Sequence, residues 1–255
     1  MKEYTIKGSS NKMRYYDFPG KGTSIIFIHG LGCAGSFDHP NVACQEGLSG
    51  NRRILIDLIG AGYSDKPDDF DYTVSGHAKY LAEFVAELNF DKLILFGHSF
   101  GGSVALSLAS LCEGIVSHVI LAESNLDSGG GPFSRAIAAF EMNDFASRGL
   151  EQMVEDNIRS GNSLWASSLS MWSPRAAYGA AKSLVEGCSP SWREILYSLK
   201  CRKTFIYGEG SLPNADMQAL IDNGIHLEVV KDAGHSMTWE NPKGLAAAIK
   251  NGIMI

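Results

Sequence analysis

Lys92-Leu93-Ile94-Leu95-Phe96-Gly97-His98-Ser99-Phe100-Gly101-Gly102 is the stretch on which the reading of the fold turns. Residues 92–96 form a short apolar run closed by glycine, the pattern of a strand buried on both faces. Residues 101–111 begin a helical stretch immediately afterwards. Between them stands Gly-x-Ser-x-Gly. A serine in a tight strand-to-helix turn projects its hydroxyl from the sheet. Anything larger than glycine on either side would collide with the adjoining strand and helix. Ser99 would also lie at a helix N-terminus, where free N–H groups and the helix dipole favour a developing negative charge. A plain glycine-rich turn carries the same letters; the strand before and the helix after select Ser99 as a candidate nucleophile.

Outward from this turn the chain keeps alternating. Upstream, residues 24–28 and 53–58 read as buried strands, the first ending in His29-Gly30-Leu31-Gly32 and the second running into Gly60-Ala61-Gly62. Val74, Ala78, Leu81, Val85 and Leu88, at steps of four and three, mark one face of an amphipathic helix. Residues 115–122 predict a further strand. The order strand, helix, strand, helix, strand implies a mostly parallel sheet with helices on both faces. Residues 4–7 and 13–18, parted by Gly8-Ser9-Ser10-Asn11, predict a starting hairpin. From 127 to 197 no strand is predicted; the segment mixes helix formers with Phe133, Phe140, Phe145, Trp165, Trp172, Tyr178 and Trp192. Alternation resumes with a strand at 203–207, a helix at 216–221, a strand at 226–230 and a last helix at 245–249. A helical insertion therefore interrupts an α/β core late in the sheet.

Together, His-Gly-x-Gly at 29–32, Asp-x-x-Gly-x-Gly-x-Ser at 57–64, Gly-x-Ser-x-Gly-Gly at 97–102 and the late Gly234-His235 resemble the α/β-hydrolase superfamily, over nearly the whole chain and in the right order. The resemblance implies an α/β-hydrolase fold with a core formed by residues 1–126 and 198–255 and a helical cap at 127–197. It implies Ser99 as nucleophile, His235 as base, and the backbone N–H groups of Leu31 and Phe100 as oxyanion donors. His29 would shape the first loop by hydrogen bonding, and Asp57 would have a structural role. His39, His77, His98, His118 and His226 lack the context of His235 and are expected to be surface or core residues.

The acid departs from the common pattern. Many relatives carry an aspartate shortly after the strand that follows the cap. Here the stretch is Tyr207-Gly208-Glu209-Gly210-Ser211, and a serine hydroxyl cannot supply the charge that stabilises an imidazolium. Glu123, at the end of the strand before the cap, is favoured because a strand end fixes a carboxylate rigidly. Asp216 is the alternative, with Glu209 and Asp232 behind it.

Composition bounds the rest. The 255 residues carry a net charge of −6, with no basic surplus to neutralise phosphates, so a nucleic-acid partner is not expected. Five cysteines without a C-x-x-C pair argue against a disulfide framework or structural zinc. No apolar run approaches the roughly 20 residues of a membrane span, and the first residues lack the apolar stretch of a signal peptide. These features predict a cytoplasmic protein without membrane insertion, and the chemistry implied needs no metal or organic cofactor. Residues 127–197 hold eight acidic and six basic residues, and their aromatics suggest an apolar pocket wall, although most are expected simply to pack the cap onto the core. The expected partner is a small, apolar, uncharged ester, cleaved through an acyl-enzyme on Ser99. Carbon–carbon bond hydrolysis, lactone opening, perhydrolysis, hydroxynitrile lyase chemistry and a low-turnover ligand receptor are the alternatives on the same residues.

Overall fold

A computed structural model describes residues 1–255. Eight strands, β1 (Lys2–Thr5), β2 (Lys12–Phe18), β3 (Gly22–Ile28), β4 (Asn51–Asp57), β5 (Leu93–His98), β6 (Val116–Ala122), β7 (Arg202–Gly208) and β8 (His226–Val230), form one sheet in the order β1-β2-β4-β3-β5-β6-β7-β8. The hairpin β1–β2 is antiparallel and joins β4 antiparallel. From β4 across β3 to β8 all neighbours run parallel.

The unalternating apolar runs follow from coverage of both faces. Ile26, Ile28, Leu93, Leu95, Val119 and Leu121 belong to one apolar cluster, which also takes in the helices Val74–Leu88 and Phe100–Leu111. Their strand neighbours Ile25, Phe27, Ile94, Phe96 and Ile120 point into a second cluster, against the C-terminal helix Pro242–Met254. In these central strands nearly every residue is thus buried whichever way it points, so no period of two appears in their runs.

All of the chain between β6 and β7 that has regular structure is helical, including Pro132–Ala138, Leu150–Arg159, Ser163–Leu169, Pro174–Glu186 and Trp192–Ser198. At its two ends, Arg193 ties Asp127 (2.6 Å) to Asp216 (2.9 Å). Most of this segment's aromatics are packing residues: Phe145, Trp172 and Trp192 are buried in the large cluster. No helix is long and apolar enough to cross a membrane.

The turn after β5 is where the elements crowd most closely. Ser99 has φ +51° and ψ −121°, a conformation unfavourable for any residue with a side chain. Its N–H donates to the Ala122 carbonyl at the end of β6, and its carbonyl accepts from Gly102, both at 2.9 Å. A methyl group on Gly97 would lie 2.5 Å from the Gly101 carbonyl oxygen, and one on Gly101 would lie 2.2 Å from that of Ile28. Both clashes are with backbone, which cannot move aside as a side chain would. Gly101→Ala is expected to cost about 3 kcal/mol, the upper end of the usual range for overpacking, seen as a lower urea midpoint; an unchanged midpoint would contradict this account of the turn.

Candidate active site

The site lies at the C-terminal ends of β3, β5, β6, β7 and β8. Ser99 follows β5. His235 follows β8 and is more than half exposed. Glu123 follows β6 directly, also on left-handed backbone (φ +47°). Its N–H donates to the Ile206 carbonyl of β7 at 3.1 Å. One carboxylate oxygen accepts the Gly208 N–H at 2.8 Å, and the other lies 3.9 Å from Nδ1 of His235. Burial raises the Glu123 pKa, but the His235 imidazole, the Gly208 N–H and the Ser211 hydroxyl together outweigh it and hold the carboxyl below its ordinary value. Ser211, standing where an aspartate was expected, thus faces the glutamate instead.

Asp216, the alternative acid, is committed elsewhere. It pairs with Arg193 and takes no contact with His235. Glu209 and Asp232 build the histidine loop rather than face the imidazole: the Glu209 carboxylate accepts the Asp232 N–H at 3.1 Å, and Glu240 accepts the Gly234 N–H at 2.7 Å.

The loop after β3 is set by His29. Its Nε2 accepts the Leu58 N–H at 3.0 Å, so Nδ1 carries the proton and donates to the Gly30 carbonyl at 2.9 Å. Burial lowers its pKa and keeps the ring neutral. No backbone carbonyl takes up the N–H groups of Leu31 or Phe100. Asp57 is buried and structural: it accepts from the Ser36 N–H and hydroxyl and from the Tyr63 N–H, at 2.7–2.9 Å.

His98 has a part that sequence reasoning missed. It is buried, as expected of a core residue, but its Nε2–H donates to the His235 carbonyl at 2.8 Å. Burial, then the nearby His235, push its pKa down to about 3, so it stays neutral and keeps this bond at any physiological pH. The nucleophile's own neighbour thereby holds the histidine loop. Its position inside the Gly-x-Ser-x-Gly turn was the signal that could have found it.

Leu31, Ser99, Glu123 and His235 all line one cavity of about 530 Å³. Phe133, Leu164 and Trp165 from the helical segment form an apolar wall, with the Phe133 and Trp165 rings 4.3 Å apart. Asp38, Asn125, Ser134 and Thr238 make the rest more polar than the composition suggested. Asp38 is buried; burial raises its pKa, against the pull of the Ala34 and Trp239 N–H groups that it accepts. No lysine or arginine lines the cavity.

A model of the alpha/beta hydrolase family matches residues 25–248. The chain belongs to this family. Among curated relatives it is 31% identical over 121 residues to a 2-hydroxy-6-oxo-6-(2'-aminophenyl)hexa-2,4-dienoic acid hydrolase of Metapseudomonas resinovorans, covering 47% of this chain and 41% of that one. The aligned stretches span about a third to two-fifths of the length of the curated relatives matched. Among solved structures, an esterase from Exiguobacterium antarcticum superposes with a TM-score of 0.79 at 18% identity, over 99% of each chain. An N-acyl homoserine lactonase superposes with a TM-score of 0.77 at 19% identity, over 99% of this chain and 96% of that one. At such identities the two structures share the fold with this chain.

Because the Glu123 carboxyl sits below its ordinary 4.5 when folded, its ionised form contributes stability above that pH, and the contribution is lost as pH falls through the lower folded value. The gap in melting temperature between the native chain and Glu123→Gln is therefore expected to be largest near neutrality and to shrink as pH falls below the ordinary carboxyl value of 4.5. A gap that widens towards acid would reverse the sign and refute it.

Proposed function

We propose that this α/β hydrolase is a serine esterase that cleaves small to medium, uncharged carboxylic esters through an acyl-enzyme on Ser99. The observation that carries the reading is one cavity onto which a serine on left-handed backbone, a histidine facing a half-buried glutamate, and the free N–H of Leu31 all open.

Ser99 attacks the ester carbonyl while His235 takes its proton through Nε2. Glu123 stabilises the resulting imidazolium through Nδ1; the resting separation of 3.9 Å shortens as charge develops on the ring. The Leu31 and Phe100 N–H groups hold the oxyanion, each worth about 3 kcal/mol in the transition state. His235 then protonates the leaving alcohol, and the same imidazole activates the water that clears the acyl-enzyme. Residues 127–197 act as a cap whose Phe133, Leu164 and Trp165 meet the apolar part of the substrate, above a core of residues 1–126 and 198–255.

Cavity charge supports a neutral substrate. Its acidic walls are the carboxyl groups of Asp38, Glu123 and Glu240; beside them stand His98 and His235, and no lysine or arginine answers them. A dienoic acid, named as substrate of the relative from Metapseudomonas resinovorans, brings a carboxylate that such a cavity repels. A neutral lactone meets the same requirements as a linear ester and is part of the same proposal.

The test is hydrolysis of p-nitrophenyl acetate, butyrate and octanoate, with p-nitrophenyl hemisuccinate as the anionic comparison. Ser99→Ala is expected to lower kcat by at least about 10³-fold and Glu123→Gln by roughly as much, with Asp216→Asn within about twofold of the native chain. The hemisuccinate should give a lower kcat/KM than the butyrate. Turnover that survives in Ser99→Ala would sink the esterase reading, and collapse in Asp216→Asn alone would overturn the acid.

A further inference from the structure

The loop that presents Leu31 is intrinsically loose, and the structure shows what tightens it. Gly30-Leu31-Gly32 has two glycines, and Gly32 sits at φ +74°, so neither peptide plane beside Leu31 is fixed by local sterics. A useful donor needs both planes fixed. The Gly30 carbonyl accepts from His29 and from the Cys33 N–H, at 2.9 and 3.2 Å. Since carbonyl and N–H lie on opposite sides of a trans peptide, this turns the Leu31 N–H the other way. The second plane is held from 134 residues away. The indole N–H of Trp165, on the helix Ser163–Leu169, donates to the Leu31 carbonyl at 3.0 Å.

That contact is not isolated. The indole lies directly over Gly32, where an added methyl group would come within 2.6 Å of its nitrogen. Two further residues of the same segment hold the same loop. Trp172 donates to the Cys33 carbonyl at 2.7 Å, and the Ser168 hydroxyl donates to Asp38 at 3.4 Å. Asp38 in turn accepts the Ala34 N–H at 2.6 Å and the indole N–H of Trp239, just beyond His235, at 2.8 Å. The insertion between β6 and β7 therefore reaches down and grips the loop after β3.

We propose that Trp165 is a positioning residue for the oxyanion hole: its N–H holds the Leu31 carbonyl back from the reacting centre and so fixes the Leu31–Gly32 plane, while the plane that carries the Leu31 N–H is held through the Gly30 carbonyl. This rests on the serine-hydrolase reading of the same site. Released, the Leu31–Gly32 plane is free to rotate, and a carbonyl oxygen swung towards the oxyanion would repel the charge that the hole exists to stabilise. The helical segment is then part of the catalytic apparatus as well as a wall for substrate.

Trp165→Phe separates these two roles, because it removes the donor and keeps a ring against Phe133 and Gly32. Trp192→Phe is the control: Trp192 is equally a tryptophan of the helical segment, but its buried N–H has no partner. Kinetics on p-nitrophenyl butyrate and the rate of inactivation by a fluorophosphonate are measured for the native chain and both variants. Trp165→Phe is expected to lose about tenfold in kcat with KM nearly unchanged, and to slow in fluorophosphonate inactivation to match, while Trp192→Phe keeps native rates. A Trp165→Phe with native kcat and inactivation rate, a change confined to KM, or an equal loss in Trp192→Phe overturns the proposal. A native chain that neither turns over the ester nor takes the label fails at the hydrolase reading itself, before any variant is compared, and the proposal falls with it.

Discussion

The backbone of Ser99 is the point on which the rest of the site depends. Its left-handed conformation is unfavourable in isolation and survives because the surroundings leave no alternative. β6 takes its N–H, the following helix takes its carbonyl, and the carbonyls of Ile28 and His29 press against Gly101 from below. These contacts bind the ends of β3, β5 and β6 into one unit. Everything else at the site then hangs from strand ends: the Leu31 loop from β3, Glu123 from β6, the Gly208 amide that orients it from β7, and His235 from β8. That is the carboxyl edge of an open α/β sheet, where loops from several strands converge.

The second level of organisation is polar bracing of loops that glycine would otherwise leave mobile. His98 holds the His235 carbonyl, while Glu209 and Glu240 hold backbone N–H groups of the same loop. His29, Trp165 and Trp172 hold carbonyls of the loop after β3, and Asp38 links that loop to Trp239 beyond the histidine. Each such bond restricts a backbone that would otherwise pay for its freedom during the reaction. The neutral state of His29 and His98, enforced by burial, keeps these braces from switching with pH in the ordinary range.

What was legible in the sequence follows from how local each signal is. The doubly covered sheet was readable because both-face burial leaves unbroken apolar runs, and the turn at Ser99 because its glycines are dictated by contacts within a few residues. The strand-poor character of 127–197 was equally plain. The partner of His235 was less so. Ser211 removes the usual acid, and Glu123 and Asp216 look alike as letters; only space shows that one faces the imidazole and the other Arg193. Trp165, Trp172 and Asp38 were silent for the same reason. Their partners are far away in the chain, and a tryptophan in a helical segment reads as packing. His98 reads in sequence only as a surface or core residue, because its bond is to a backbone carbonyl 137 residues away.

On the proposed mechanism, the strained turn makes Ser99 the residue that becomes acylated. The direct measurement is intact-protein and peptide mass spectrometry after acid quench during turnover of p-nitrophenyl butyrate. A single butyryl adduct that maps to Ser99 and disappears when substrate is exhausted is expected. Turnover with no adduct, or a transient adduct that maps to any other residue, would contradict it.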